Sequence, residues 1–184
     1  QKNHNMEMSK RILEQDKQLI LSATANTVAH GLNSPLGAIK AGAEGLIYLY
    51  NDIFSNAIQK CTHQQISFAY SYAKKFDGQT IDGGKELRKR QLEINAILLE
   101  KYSLGKEKAS NLSMLMSKIY VESEIDSLIQ FTLQQENQEE LIQMIISLVS
   151  FEKITSNTLN ATDRSSKVVE SLKKALKQWK EEEK

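Results

Sequence analysis

The chain has few of the residues that staple or punctuate a fold. Cysteine occurs once, at Cys61, proline once, at Pro35, and tryptophan once, at Trp179. A single cysteine excludes an intrachain disulfide and a cysteine-rich zinc site, and it fits a reducing compartment. Aromatic residues make up only 7% of the chain. Runs of β-branched residues between turn signals are missing as well, which argues against a sheet protein. No apolar run nears the roughly 20 residues of a membrane-spanning helix, and no signal peptide is visible. A charge excess is also absent: 24 basic residues face 23 acidic ones. That balance speaks against nucleic acid or an anionic membrane as the main partner. The three histidines, His4, His30 and His63, lack metal-site spacing and carboxylate companions. Neither kind of glycine-rich phosphate loop occurs.

Aliphatic residues at helical spacing, with abundant Gln, Glu and Lys, are what the chain does contain, and they predict an all-α protein. Its 184 residues suffice for one ordinary domain or one elongated helical one. One long helix is expected from about Met6 to Lys60. Within it Ala25, Ala29, Leu32, Leu36, Ile39, Ala43, Leu46, Tyr50, Ile53 and Ala57 recur at steps of four and three, the seam of a coiled coil or helix bundle. The part before Ser22 is more polar and reads as the continuation of an incoming helix. A second long helix is expected from about Glu139 to Glu182. Its stripe is Phe151, Ile154, Thr158, Ala161, Ser165, Val168, Leu172, Ala175 and Trp179. Two such stripes form an antiparallel hairpin, and two hairpins from two chains close a four-helix bundle. The opening Gln1, with no start methionine, reads as a fragment of a longer protein.

The stretch between the long helices is less regular. Gln65 to Lys75 is mixed in pattern and carries Phe68, Tyr70 and Tyr72. Phe76 to Gly84 is glycine-rich and is expected to be a loop marking an internal boundary. Lys85 to Tyr102 reads as an amphipathic helix, with Gly105 as its C-terminal cap. Two short helices follow, around Lys106 to Tyr120 and Glu124 to Gln134. The basic cluster Lys85 to Arg90 reads as a solvated helix face. Cys61 and His63 read as a fraying helix end, since a reactive thiol needs an electropositive pocket.

One turn of the first helix stands out. His30 is followed five residues later by Pro35, and proline inside a helix costs roughly 3 kcal/mol or more. Gly31, Gly37, Gly42 and Gly45 add up to about 1 kcal/mol each relative to alanine. They let another helix approach closely, or they mark a locally frayed helix held by tertiary contacts. His30 lies beside the seam position Ala29 but off it, so its ring should reach solvent. A neutral imidazole is a usable nucleophile near neutral pH, and its attack on a phosphoryl group gives a phosphoramidate suited to a relay. Spacing alone favours an exposed histidine with no chemical role.

The residues Val28-Ala29-His30-Gly31-Leu32-Asn33-Ser34-Pro35-Leu36-Gly37-Ala38-Ile39 resemble the phosphoacceptor box of sensor histidine kinases, AHE-L-x-x-PL-x-x-I. Asn160-Ala161-Thr162-Asp163-Arg164-Ser165-Ser166-Lys167-Val168-Val169, with Leu172, resembles the second dimerisation helix of that family. The resemblance covers roughly half the chain. It implies a dimerisation and phosphotransfer domain in which His30 takes the γ-phosphoryl group of ATP and passes it to an aspartate of a response-regulator receiver domain. Asn33 and Ser34 would help orient water or the phosphoryl group, and Pro35 would loosen the helix for a bend. The family's acidic residue after the histidine is Gly31 here, which weakens the expected autophosphorylation.

The family's ATP-binding domain, with its asparagine box and nucleotide lid, does not follow Trp179. ATP and Mg would thus act through a separate domain, and this chain binds no cofactor or metal of its own. The expected architecture is a dimeric four-helix bundle with a small inserted helical subdomain. Residues 1–60 would form the first helix, 61–137 the insertion and 138–184 the second helix. Such a chain would be cytoplasmic, alone or as the cytoplasmic part of a membrane-bound sensor, with no membrane or nucleic-acid contact of its own. A stand-alone phosphotransfer or adaptor protein, and a purely structural helical dimer, are the alternatives.

Overall fold

A computed structural model describes residues 2–53, 59–76 and 83–182. Among them the regular elements are all helical. They are α1 (Lys2–Asp52), α2 (His63–Lys75), α3 (Gly83–Glu100), α4 (Lys106–Met116), a 3₁₀ turn at Ser117–Ile119, α5 (Ile125–Leu133) and α6 (Gln138–Glu182). The all-α expectation holds, and the second long helix lies within a residue of its expected bounds. The expected first helix extends to Lys60, but Gln59 and Lys60 form a turn leading into α2; residues 54–58, including Ala57, lie outside the described residues, as do residues 77–82 of the glycine-rich loop. No described helix is long and apolar enough to cross a membrane. Two compact units divide the chain: Gln1–Ala43 with Asn157–Lys184, and Glu44–Ser156.

The Glu44–Ser156 unit is larger than the expected insertion because α6 opens inside its core. Leu141, Ile142, Met144, Ile145 and Val149 are buried with Ile94 and Leu98 of α3, Leu112 and Met116 of α4, and Leu128 and Ile129 of α5. A helix apolar on several faces must be covered on several faces, and residues 141–149 have that composition. Ala69, Tyr72 and Ala73 of α2 join the same core. The loop between α2 and α3 is therefore no boundary, since helices on both sides of it share one apolar cluster.

The two ends of the inserted segment are clasped by side-chain amides. Thr62 and Gln65 form a capping box at the start of α2: Thr62 Oγ1 accepts from Gln65 N at 3.3 Å, and Gln65 Oε1 accepts from Thr62 N at 2.8 Å. Gln65 Nε2 then donates to Gln135 Oε1 at 3.0 Å and to Asn137 Oδ1 at 2.6 Å. Asn137 Nδ2 donates to the Lys60 carbonyl at 2.8 Å. The Cys61–His63 stretch is thus a capped helix start rather than a fraying end. Gly105 is likewise the N-cap of α4, with φ −63°. The reversal after α3 falls instead on Ser103, at φ 52°, a left-handed conformation that costs non-glycine residues roughly 1–2 kcal/mol.

Tyr72 makes this unit sensitive to alkali. Its hydroxyl is buried and donates to the Ile119 carbonyl at 3.0 Å. Burial first, and then the charge of Glu124, push the phenol well above its ordinary value, against a backbone hydrogen bond from Val121 that lowers it. A raised folded pKa contributes stability below the unfolded value of about 10, which is lost as pH rises beyond it. Thermal unfolding between pH 9 and about 11 should show a steep fall in Tm that Tyr72→Phe flattens. An equally steep fall in Tyr72→Phe would contradict this assignment.

In the Gln1–Ala43 and Asn157–Lys184 unit, α1 and α6 pack antiparallel. Gly31 lies opposite Val168, and Gly42 lies opposite Thr158. Thr158, Ser165, Val168 and Leu172 are half-buried and Ala161 is buried, the stripe expected from sequence. Ala175 is exposed, and the side chain of Trp179 lies outside the described ones. On α1 the covered line is Thr24, Val28, Gly31, Pro35, Ile39 and Gly42, with Leu32 at its edge. Four of the expected seam residues are missing from it: Ala25, Ala29, Leu36 and Ala43 are exposed. One partner helix covers one narrow line, and the expected seam is wider than that line.

The glycines separate by their surroundings. A Cβ at Gly42 would overlap the Thr158 hydroxyl and lie 3.2 Å from Thr158 Cβ, an atom that moves only with the α6 backbone. Close approach is therefore the reason for Gly42, and Gly45 is similarly tight against Ile154 at 3.1 Å. At Gly37 a Cβ meets nothing within 4 Å. Gly37→Ala should stabilise the fold by about 0.5–1 kcal/mol. Gly42→Ala should destabilise it by about 1 kcal/mol or more through overpacking. Thermal unfolding of the two variants tests this, and stabilisation by Gly42→Ala would refute the close-packing account.

Candidate functional site

The candidate site is one turn of α1, and its five residues divide between two sides of the helix. The covered line on α1 runs through Val28, Gly31 and Pro35. At about 100° per residue, position 30 turns away from α6, and positions 33 and 34 follow it on the same outward side. His30, Asn33 and Ser34 are all exposed. Among the described residues the His30 ring has no hydrogen-bond or ion-pair partner. It is a nucleophile-capable ring on a helical scaffold, open to an incoming macromolecule.

Gly31 and Pro35 lie on the opposite, inward side. Pro35 is buried inside the continuous helix α1. Proline has no N–H to donate to the carbonyl four residues earlier, and that carbonyl belongs to Gly31. The helical ladder is thus interrupted one residue after His30, at a position that also lacks a Cβ. Packing of Pro35 against α6 holds the weakened turn helical. A Cβ at Gly31 would lie 3.6 Å from Val168 Cγ1, an ordinary contact, so a side chain can start from this position without a clash.

The antiparallel pairing brings together the two stretches singled out in the sequence. Residues 28–39 of α1 lie against residues 158–172 of α6, with Val168 opposite Gly31. Asp163, Arg164 and Lys167 of the α6 stretch are exposed. Comparison with known protein families, curated proteins and solved structures found no match.

The second histidine and the cysteine form no site. His63 is exposed at the start of α2, while Cys61 is half-buried, with Asn137 Nδ2 at 3.8 Å from its Sγ. Burial, and then the charge of Glu140, push the Cys61 thiol up, which disfavours the reactive thiolate. No group of three His, Cys, Asp or Glu among the described residues is placed to hold a metal ion. The capping box around Thr62 was legible as Thr-x-x-Gln before an apolar run.

Proposed function

We propose that this chain is a dimerisation and phosphotransfer domain of the sensor-kinase type, with His30 as its phosphoacceptor. The observation that carries the reading is the exposed, unpartnered His30 ring on the outward side of α1, one turn before a proline buried against α6. A separate ATP-binding domain places the γ-phosphate in line with a ring nitrogen. The bond from phosphorus to the bridging oxygen breaks, ADP leaves, and a P–N bond forms as the ring gives up a proton. In the second step an aspartate carboxylate of a receiver domain attacks phosphorus, the P–N bond breaks, and the imidazole recovers its proton. Phosphoryl transfer of this kind rests mainly on positioning and charge stabilisation. Asn33 and Ser34, beside His30, are the polar groups available to orient the transferred group.

The exposed apolar residues support a dimer. Ala29, Leu36 and Ala43 on α1 sit one residue beyond the covered positions Val28, Pro35 and Gly42. Leu159, Ser166 and Val169 on α6 sit one residue beyond Thr158, Ser165 and Val168. In an antiparallel pair, one step past the contact line turns to the same side on both helices. The hairpin therefore carries a further face with exposed apolar residues, Leu36, Leu159 and Val169 among them, next to the α1–α6 contact and away from His30. A second copy covers that face in a four-helix bundle.

Incubation with a sensor-kinase ATP-binding domain and ATP labelled at the γ-phosphate tests the reading. The expected product is label on this chain that is stable in alkali and lost in acid, and that moves to a receiver domain on mixing. Absence of any acid-labile label would overturn the proposal.

A further inference from the structure

We infer that Arg164 and Lys167 select the partner of His30 by charge: the protein that docks over the ring presents an acidic face to these two cations. This inference rests on the phosphotransfer reading and deepens it, since it concerns the domain that takes the phosphoryl group from His30.

The near-neutrality of the chain hides a local excess of positive charge. Residues 17–43 of α1 contain two basic residues and no acidic one, and residues 157–177 of α6 contain five basic residues against two acidic. The two stretches thus carry an excess of five positive charges, whereas the whole chain carries one. The remainder is net acidic, so the cations are concentrated on the hairpin that bears His30.

Within the hairpin, helical rotation decides which cations meet a partner. His30 and Ser34 sit one residue before the covered positions Gly31 and Pro35, and Arg164 and Lys167 sit one residue before Ser165 and Val168. In an antiparallel pair, one step before the contact line turns to the same side on both helices. That flank is opposite to the face of Leu36 and Leu159. With Val168 opposite Gly31, Lys167 stands about 3 Å and Arg164 about 8 Å from His30 along the helix axis, at about 1.5 Å per residue. An interface of ordinary size covers about 800 Å² per partner, a patch roughly 30 Å across. A protein that covers His30 therefore covers both cations.

Neither cation is neutralised by this chain. Arg164 and Lys167 are exposed and have no ion-pair partner among the described residues. The positions three and four residues from Arg164 hold Asn160, Ala161, Lys167 and Val168, so α6 offers it no neighbouring carboxylate. Asp163 and Glu170, the acids of this stretch, lie two residues off the contact line and face away from α1. Carboxylates on a partner, set against uncompensated cations, steer the encounter and fix its register. Two cations one turn apart suit a few carboxylates, whereas a protein on a nucleic-acid backbone makes about six to ten phosphate contacts.

Transfer from His30 to a panel of receiver domains, graded from acidic to basic around the acceptor aspartate, tests the inference. The chain is loaded with phosphoramidate, whose P–N bond breaks as ammonia leaves with the ring proton, and transfer is timed from the loaded chain. The most acidic domain should accept at least about tenfold faster than the most basic, and salt raised from about 0.05 to about 0.3 M should remove most of that advantage. Arg164→Gln with Lys167→Gln should slow transfer to the acidic domain about tenfold, with Tm unchanged. Lys85→Gln with Arg88→Gln, the same charge change at exposed positions of α3, should leave transfer unaltered. Arg90 of that cluster is unsuited as a control, because its side chain is only 13% exposed and lies over the Tyr120 ring, 5.2 Å from its centroid. The cluster Lys85 to Arg90 is therefore not uniformly solvated. Calorimetry of the unloaded chain with the acidic domain reads docking without chemistry. Docking that depends on the two cations while His30 takes no label would strike the relay reading and leave the docking surface. Transfer and binding unchanged in the Arg164 and Lys167 variant, or lowered equally in the α3 control, would overturn the inference. So would a panel in which no acidic domain binds or accepts.

Discussion

His30→Gln is expected to abolish labelling of this chain by ATP and a supplied ATP-binding domain, while leaving the fold intact. The side chain is exposed and has no partner among the described residues. Its replacement should therefore change stability by no more than about 0.5 kcal/mol, and a thermal unfolding curve separates lost chemistry from lost structure. Loss should be complete, because no other histidine shares the outward side of this turn. The companion variant is Gly31→Glu. In the resembling family an acid at this position orients the imidazole, and here a Cβ at Gly31 meets only Val168 at ordinary contact distance. Restoring the carboxylate should raise the labelling rate by roughly a hundredfold, the low end for a positioned acid–base group. Labelling that survives in His30→Gln would move the acceptor elsewhere and end the His30 proposal.

Much of the helical layout was legible from spacing, and the exceptions have physical causes. The α6 stripe from Thr158 to Leu172 emerged as written because a two-helix contact selects one line of a 3.6-residue period. On α1 the same period defined a band wider than one neighbour can cover, so sequence alone could not say which half faces α6. The close approach at Gly42 decides it, and glycine spacing carries that information only once the partner, Thr158, is known. The boundary was misplaced at residues 76–84 because glycine marks a turn whether or not the flanking helices share a core. The better signal lay in residues 141–149, apolar on several faces, followed by a single stripe from Ile154. Exposure of His30 followed from its place beside Ala29. The burial of Arg90 against Tyr120 did not, since thirty residues of chain separate them and no periodic pattern links them.

The second large effect concerns the face beside the α1–α6 contact. Leu36→Glu is expected to convert a dimer into monomers at micromolar concentration in a sedimentation experiment. Leu36 is 52% exposed in the isolated chain, and Leu159 is 61% exposed. Fully burying a leucine contributes about 1.5–3 kcal/mol, so covering the remaining half of Leu36 contributes about 1 kcal/mol per copy. Two-fold symmetry removes that contribution twice and places two carboxylates in the same interface, where unpaired charge is costly. A loss of about 3 kcal/mol is a hundredfold weakening of association, sufficient to separate a micromolar dimer. Leu159→Glu, on the same side of α6, should act in the same direction. Ala41→Glu, exposed on the outward side of α1, should leave the dimer unchanged and shows that charge alone is not the cause. A wild-type chain that sediments as a monomer would remove the four-helix bundle. A dimer indifferent to both leucine changes would place its interface on another face.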